Sequence, residues 1–215
     1  EGKLSEPLAN VPEVVARGQG GLLDVALHPK FAENRLIYLS FSEPRSLGSN
    51  STSLARARLS DDGSALENVE VIFRQQPAIR STAHFGGRIA FAPDGNLFLT
   101  LGDRYSQRDS AQDLSTHIGK TVRLADDGKA AAGNPFIGQA DALPEIWSYG
   151  HRNPQGATIE PSTGAYWTVE HGARGGDEIN RPEAGKNYGW PVITYGRDYS
   201  GASIGEGTEK AGMEQ

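Results

Sequence analysis

Short apolar stretches alternate along the chain with polar turns marked by glycine and proline, and one arrangement recurs: apolar strand, proline-containing turn, second apolar strand. It first appears as Leu23-Asp24-Val25-Ala26-Leu27, then His28-Pro29, leading into Leu36-Ile37-Tyr38-Leu39. The second copy is Arg88-Ile89-Ala90-Phe91-Ala92 before Pro93-Asp94-Gly95-Asn96 and Leu97-Phe98-Leu99-Thr100. The third is Ala157-Thr158-Ile159-Glu160 before Pro161-Ser162-Thr163-Gly164 and Ala165-Tyr166-Trp167-Thr168-Val169. Turn residues fix each hairpin, and the β-branched and aromatic residues beside them suit a pleated sheet. The spacing of Pro29, Pro93 and Pro161 is nearly constant, so the pattern predicts one hairpin-centred sheet per repeat. Further strands are expected at residues 53–59 and 69–73, with Asp61-Asp62-Gly63 turning between them, and at residues 119–124 before Asp126-Asp127-Gly128. Residues 111–117 have room for one short helix.

Repeated hairpin sheets favour radial blades, an all-β architecture. The repeat exceeds the ~40–50 residues of common propeller blades, so long loops between strands are expected, and loops at one mouth are where function would sit. Three hairpins do not close a ring, and open propeller edges are costly. The expectation is one partial domain over residues 1–215, covering about three to four blades and lacking blades at both ends. The 27 Gly and 12 Pro against 37% apolar residues agree with many short strands. A formal charge of −6 with scattered Lys and Arg gives no field for nucleic acid. The absence of cysteine leaves oxygen and histidine as the only metal donors. No apolar run approaches the ~20 residues of a membrane span, and the first residues do not read as a signal peptide, so any export signal is expected upstream or removed.

Four stretches carry candidate chemistry. His84-Phe85-Gly86-Gly87-Arg88 sets a histidine before a glycine pair, where its ring can project from a loop. Asp103, ending the return strand of the same hairpin, should emerge at the same mouth, where a carboxylate would hold the imidazole tautomer. From spacing alone, a loop histidine and a turn-forming aspartate remain the commoner explanation. Gly150-His151-Arg152-Asn153-Pro154-Gln155-Gly156 suits recognition of planar carbonyls and carboxylates, or equally a turn that satisfies its own backbone. Glu170-His171-Gly172-Ala173-Arg174-Gly175-Gly176-Asp177-Glu178-Ile179-Asn180 combines converging main-chain carbonyls with hard carboxylates, the donors Ca²⁺ prefers, and lacks the EF-hand spacing. A metal-free acidic loop is the plainer alternative. Asn187-Tyr188-Gly189-Trp190-Pro191 reads as blade packing, and His28, His117 and His151 as structural.

Taken in order with Gly18-Gln19-Gly20-Gly21-Leu22-Leu23, these motifs resemble the soluble glucose/sorbosone dehydrogenase family, in particular its bacterial aldose sugar dehydrogenase branch, over about residues 18–200. The resemblance implies a six-bladed β-propeller that oxidises aldoses at C1 to lactones with pyrroloquinoline quinone (PQQ) and Ca²⁺. It implies that His84 is the general base and Asp103 its orienter, and that Arg152, Asn153 and Gln155 contact PQQ. Gln19 and Asp177 would reach the substrate. The carbonyls of Gly172 and Ala173 would hold the catalytic calcium, with alanine where better-known glucose enzymes have proline. Glu178, the Tyr188 carbonyl and Asp198 would form a second calcium site. Ala83 stands where glucose-specific enzymes carry an acidic residue beside the base, which implies broader aldose selectivity. The family's PQQ-clamping cations belong to later blades, beyond Gln215, so a piece of this length is expected to be inactive alone. An external electron acceptor and a periplasmic or secreted location are implied as well.

Two other functions fit a propeller of this kind. A calcium-dependent lactonase would share fold, metal and histidine but would need no quinone. The Gly172-Ala173 and Arg152-Asn153 patterns argue against it. A non-catalytic binding propeller would be expected to have lost His84 or Arg152, and both are present.

Overall fold

The computed structural model describes Gly2 and residues 4–214. The chain forms β1 (Leu22–Leu27), β2 (Leu36–Pro44), β3 (Asn50–Leu59) and β4 (Leu66–Arg74), then β5 (Gly86–Phe91), β6 (Leu97–Leu101), β7 (Lys120–Leu124) and β8 (Ile146–Tyr149). Strands β9 (Pro154–Ile159), β10 (Tyr166–Glu170) and β11 (Glu178–Asn180) follow. Each run pairs with its sequence neighbour into one antiparallel sheet, β1-β2-β3-β4, β5-β6-β7-β8 and β9-β10-β11. The three expected hairpins are β1–β2, β5–β6 and β9–β10. Among the described residues no helix is long and apolar enough to cross a membrane.

The first strand of each sheet lies beside the first strand of the next, β1 along β5 and β5 along β9, so the sheets fan from a common axis as blades do. Arg88 on β5 joins all three inner strands. Its Nη1 reaches Asp24 Oδ1 on β1 at 2.8 Å, and its Nε donates to the Gln155 carbonyl on β9 at 3.2 Å. Asp24 Oδ2 also accepts the Ile89 N–H at 2.9 Å.

Strand β6 is buried on both faces, and its alternation divides the core. Leu97, Leu99 and Leu101 pack with Tyr38, Leu54 and Phe73 of the first sheet. Phe98 points the other way and stacks on Tyr166 of the third, with ring centroids 4.0 Å apart. A one-residue slip of β6 would exchange these faces, so burial on both sides specifies the register.

Beyond β6, the helix expected over residues 111–117 is a 3₁₀ turn, Arg108–Gln112. Asp113 ends it by accepting the Ser115 N–H and hydroxyl at 2.9 and 2.7 Å, a local turn that competes with helix. Lys120 on β7 fixes this turn from below, its buried ammonium donating to the carbonyls of Ser110, Ala111 and Ile118 at 3.0, 3.0 and 2.6 Å. Burial pushes Lys120 from its ordinary 10.5 to about 7, with Asp113 opposing. Across that window the unfolded chain holds a proton that the folded protein releases, so stability rises with pH. The stability of wild type relative to Lys120→Met, from urea unfolding, is therefore expected to increase between pH 7 and 10.5. A difference that stays flat or falls would show that Lys120 keeps its proton when folded.

Candidate active site

Loops from the second and third sheets meet over a cleft of about 300 Å³ whose walls include His84, Asp103, Arg152, Ala173, Trp190 and Asp198. Of the twelve residues that line it, the sequence singled out five, His84, Asp103, Arg152, Ala173 and Asp198, and read Trp190 as packing. His84, 6% exposed, precedes β5, and Asp103 follows β6. The register Gly86↔Leu101 places the two residues at the same end of the hairpin. Their Nδ1···Oδ1 separation is 2.6 Å. A carboxylate accepts, so Nδ1 carries the proton, and in the neutral ring Nε2 keeps its lone pair.

The dyad is braced from several directions. Asp103 Oδ1 also accepts the Tyr105 N–H at 2.7 Å, its Oδ2 accepts the Trp190 indole N–H at 2.8 Å, and its own N–H donates to the Arg152 carbonyl at 2.8 Å. Gln19 Oε1 accepts the His84 main-chain N–H at 2.8 Å. His84, Arg104 and Tyr105 all have left-handed backbone conformations, with φ of 52°, 57° and 65°. Such conformations are costly for non-glycine residues and persist where the surroundings over-determine them. Arg104 supplies part of that constraint. Wholly buried, it donates to the carbonyls of Ala83 and Ser81 at 3.2 and 3.0 Å and lies 4.0 Å from the Phe85 ring centroid. Burial pushes its guanidinium down to about 10, with Asp103 opposing.

Arg152 brings the cation. Its Nη1 donates to the carbonyls of His171 and Gly172 at 2.9 and 2.8 Å, Nη2 lies 3.5 Å from the Tyr199 hydroxyl, and the guanidinium sits 5.4 Å from the Trp190 ring. Its main chain is held by Glu170, whose Oε1 accepts the Arg152 N–H. The other Glu170 oxygen meets His151 Nδ1 at 2.9 Å, and Ser148 lies 2.8 Å from His151 Nε2. His151 is structural, as read from sequence, but the buried Glu170 that ties it to Arg152 is a contribution the sequence did not reveal.

The remaining predicted residues divide by position. Asn153 is buried behind the cleft, its Oδ1 accepting the Gly86 N–H at 3.1 Å. Gln155 acts through its carbonyl, toward Arg88. Asp177 Oδ1 accepts the Gly172 N–H at 2.9 Å. Glu178 lies on β11, where its Oε2 accepts from Asn180 at 2.9 Å. The Tyr188 carbonyl accepts the Trp190 N–H at 3.0 Å, and Asp198 Oδ1 closes a turn with Ser200 at 2.9 Å. Gln19, Asn153, Gln155, Gly172, Asp177, Glu178 and Tyr188 are not among the cleft-lining residues. Among the described residues no three or more His, Asp or Glu side chains converge as a metal cluster. Main-chain oxygens do converge. A Cβ on Gly196 would meet the carbonyl oxygens of Ala173 and Gly175 at 2.5 and 2.6 Å, and one on Gly172 would collide with those of Gly175 and Gly176.

The family model for glucose/sorbosone dehydrogenases matches residues 1–215. The aldose sugar dehydrogenase YliI of Escherichia coli is 52% identical over 214 residues, covering 99% of this chain and 57% of that protein. The crystal structure of the soluble E. coli aldose sugar dehydrogenase in its apo form superposes with a TM-score of 0.95 at 51% identity, over 98% of this chain and 61% of the other. The PQQ-bound aldose sugar dehydrogenase of Streptomyces coelicolor does so with a TM-score of 0.77 at 33% identity, over 91% and 55%. The chain thus spans little more than half the length of these relatives.

Proposed function

This chain belongs to the glucose/sorbosone dehydrogenase family, and from that premise we propose that it is the base-bearing part of an enzyme that oxidises aldoses at C1 to lactones, with PQQ and Ca²⁺. The observation that carries the proposal is the placement of a histidine–aspartate dyad and a fixed arginine on the walls of one cleft.

The residues fit both groups. The Arg152 guanidinium, the flat Trp190 ring and the Tyr199 side chain suit a planar, anionic quinone, and the PQQ-bound aldose sugar dehydrogenase of Streptomyces coelicolor supports it. The Ala173 carbonyl, crowded with that of Gly175 beside Gly196, is a hard donor of the kind calcium takes, while the Gly172 carbonyl, which accepts from Arg152, would exchange that bond for the cation. Arg152 would hold the quinone, with Asn153 supporting the cleft from behind through the Gly86 N–H, and Gly172 and Ala173 would hold the cation. Glu178, the Tyr188 carbonyl and Asp198, of which only Asp198 lines this cleft, would have to come together elsewhere to hold a second calcium. When bound, PQQ supplies the acceptor for the C1 hydride and calcium polarises it.

The chain's own residues manage the proton and the charge. Asp103 fixes the ring so that His84 Nε2 receives the proton of the C1 hydroxyl as the C1=O bond forms. Asp103 then balances the imidazolium without itself taking the proton. Arg152, already oriented by two carbonyls, presents positive charge where negative charge develops, at no cost in reorganisation. Gln19 and Asp177 are assigned to the sugar side, and an external acceptor reoxidises the cofactor.

The test is reduction of an electron-accepting dye by the full-length protein with a panel of aldoses, with PQQ and Ca²⁺ each present or withheld. Dye reduction that requires sugar and PQQ, and disappears on chelation of the metal, is the expected result. Lactone hydrolysis without PQQ, or PQQ binding without any turnover, would overturn the assignment.

A further inference from the structure

Trp190 touches each working part of the cleft. Its indole Nε1–H donates to Asp103 Oδ2 at 2.8 Å, opposite the oxygen that holds His84. Its ring lies 5.4 Å from the Arg152 guanidinium, and it packs with Ala111, Ala173 and Ile204. The residue cannot drift. It is 7% exposed, its N–H donates to the Gly150 carbonyl at 2.9 Å, and its carbonyl accepts from Gln112 Nε2 at 2.7 Å.

A buried indole N–H needs an acceptor in any case, and what links Trp190 to the dyad is that its acceptor is the carboxylate that holds His84. Asp103 is 99% buried and has two oxygens to satisfy. Oδ1 is taken by His84 and Tyr105, and Oδ2 by Trp190. With only one oxygen tied, the carboxylate could rotate about its last bond and let the imidazole follow. With both tied, the carboxylate plane and the imidazole tautomer are set together. The same rigid ring supports Arg152.

We infer that Trp190 is a positioning residue that holds base and cation at a fixed mutual geometry, acting on His84 through Asp103 and on Arg152 through its ring face. This rests on the dehydrogenase reading, in which the Trp190 ring faces the quinone, and adds to it an action on the base through the indole N–H. The hydrogen bond and the ring face are separable functions. Removing the N–H alone should impair proton transfer, while removing the ring should impair cofactor binding as well.

The experiment replaces Trp190 in the full-length protein by 3-benzothienylalanine, which keeps the ring's shape and puts sulfur in place of the N–H, and separately by leucine. With the thienyl variant, kcat for an aldose should fall by about 10-fold while KM, PQQ affinity by equilibrium dialysis and Tm stay near wild type, since a small misplacement of a base lowers rate without loosening binding. With Trp190→Leu, PQQ affinity should fall too. A readout independent of turnover is the ¹⁵N signature of the His84 ring without cofactor: a single Nδ1–H tautomer in wild type, and both tautomers in the thienyl variant. An unchanged kcat together with a single tautomer in the thienyl variant would reduce Trp190 to packing. If wild type oxidises no aldose, the dehydrogenase reading fails, and the tautomer comparison still decides whether Trp190 sets the dyad.

Discussion

Replacing His84 by alanine is expected to lower aldose turnover of the full-length, PQQ-loaded protein by about 10²–10⁴-fold, the usual contribution of a positioned general base. PQQ affinity should change little, because the cofactor assignment falls on Arg152. The imidazole's only hydrogen-bond partner among the described residues is Asp103, so its loss removes the proton acceptor and leaves Asp103 Oδ1 with the Tyr105 N–H alone. The main chain should hold its course, since Gln19 binds the His84 N–H rather than the ring. Residue 84 has a left-handed conformation, with φ of 52°, so His84→Asn is the better control for backbone strain, asparagine being tolerated there. Both variants should lose turnover alike, measured by dye reduction, with PQQ binding followed by dialysis. Wild-type turnover in either would remove His84 from the chemistry.

Gly102→Ala should be nearly as damaging, though the residue contacts nothing chemical. A Cβ there would run into the His84 carbonyl and come within 3.1 Å of Asn153 Oδ1. The carbonyl is main chain and cannot rotate away as a side chain could, so the displacement passes to the segment carrying His84. Overpacking of this kind costs about 1–3 kcal/mol, and an ångström of misplacement at a reacting group costs about 10²-fold in rate. The expected result is a lower Tm together with turnover reduced by about two orders of magnitude. Gly95→Ala is the comparison. Gly95, unlike Gly102, has positive φ, 86°, and an added Cβ meets nothing within 4 Å, so its substitution should cost some stability through backbone strain and leave kcat untouched. Equal activity in the two variants would show that Gly102 does not set the position of the dyad.

Much of this architecture is legible in the order of residues because a hairpin is a local object. Pro93-Asp94-Gly95-Asn96 turns the chain, the flanking apolar residues alternate, and β5 and β6 follow. The same local logic brings His84 and Asp103 to one end of one hairpin, which made their pairing foreseeable. Strand β8 and the three-residue β11 were not foreseen, having too few residues for alternation to register, and Glu178 was read as a metal ligand without its place in a strand. The 3₁₀ turn at Arg108–Gln112 escaped because a side-chain turn at Asp113 outweighs the weak helix signal around it.

The sequence alone thus determined the all-β class, the three hairpins, the restriction of any metal to oxygen or histidine donors, and a histidine and a carboxylate at one end of one hairpin. Tertiary structure decided what lies across the blades. Trp190 reaches Asp103 from 87 residues away, Arg88 ties three inner strands, Glu170 clamps Arg152, and Lys120 holds the turn that forms one wall of the cleft. The division follows from range. Periodicity and turn chemistry act over a few residues and can be read along the chain. Convergence at the cleft depends on how three sheets pack against one another, and so on the facing of Leu97 and Leu99 against Phe98, a sum over many side chains that no single motif records.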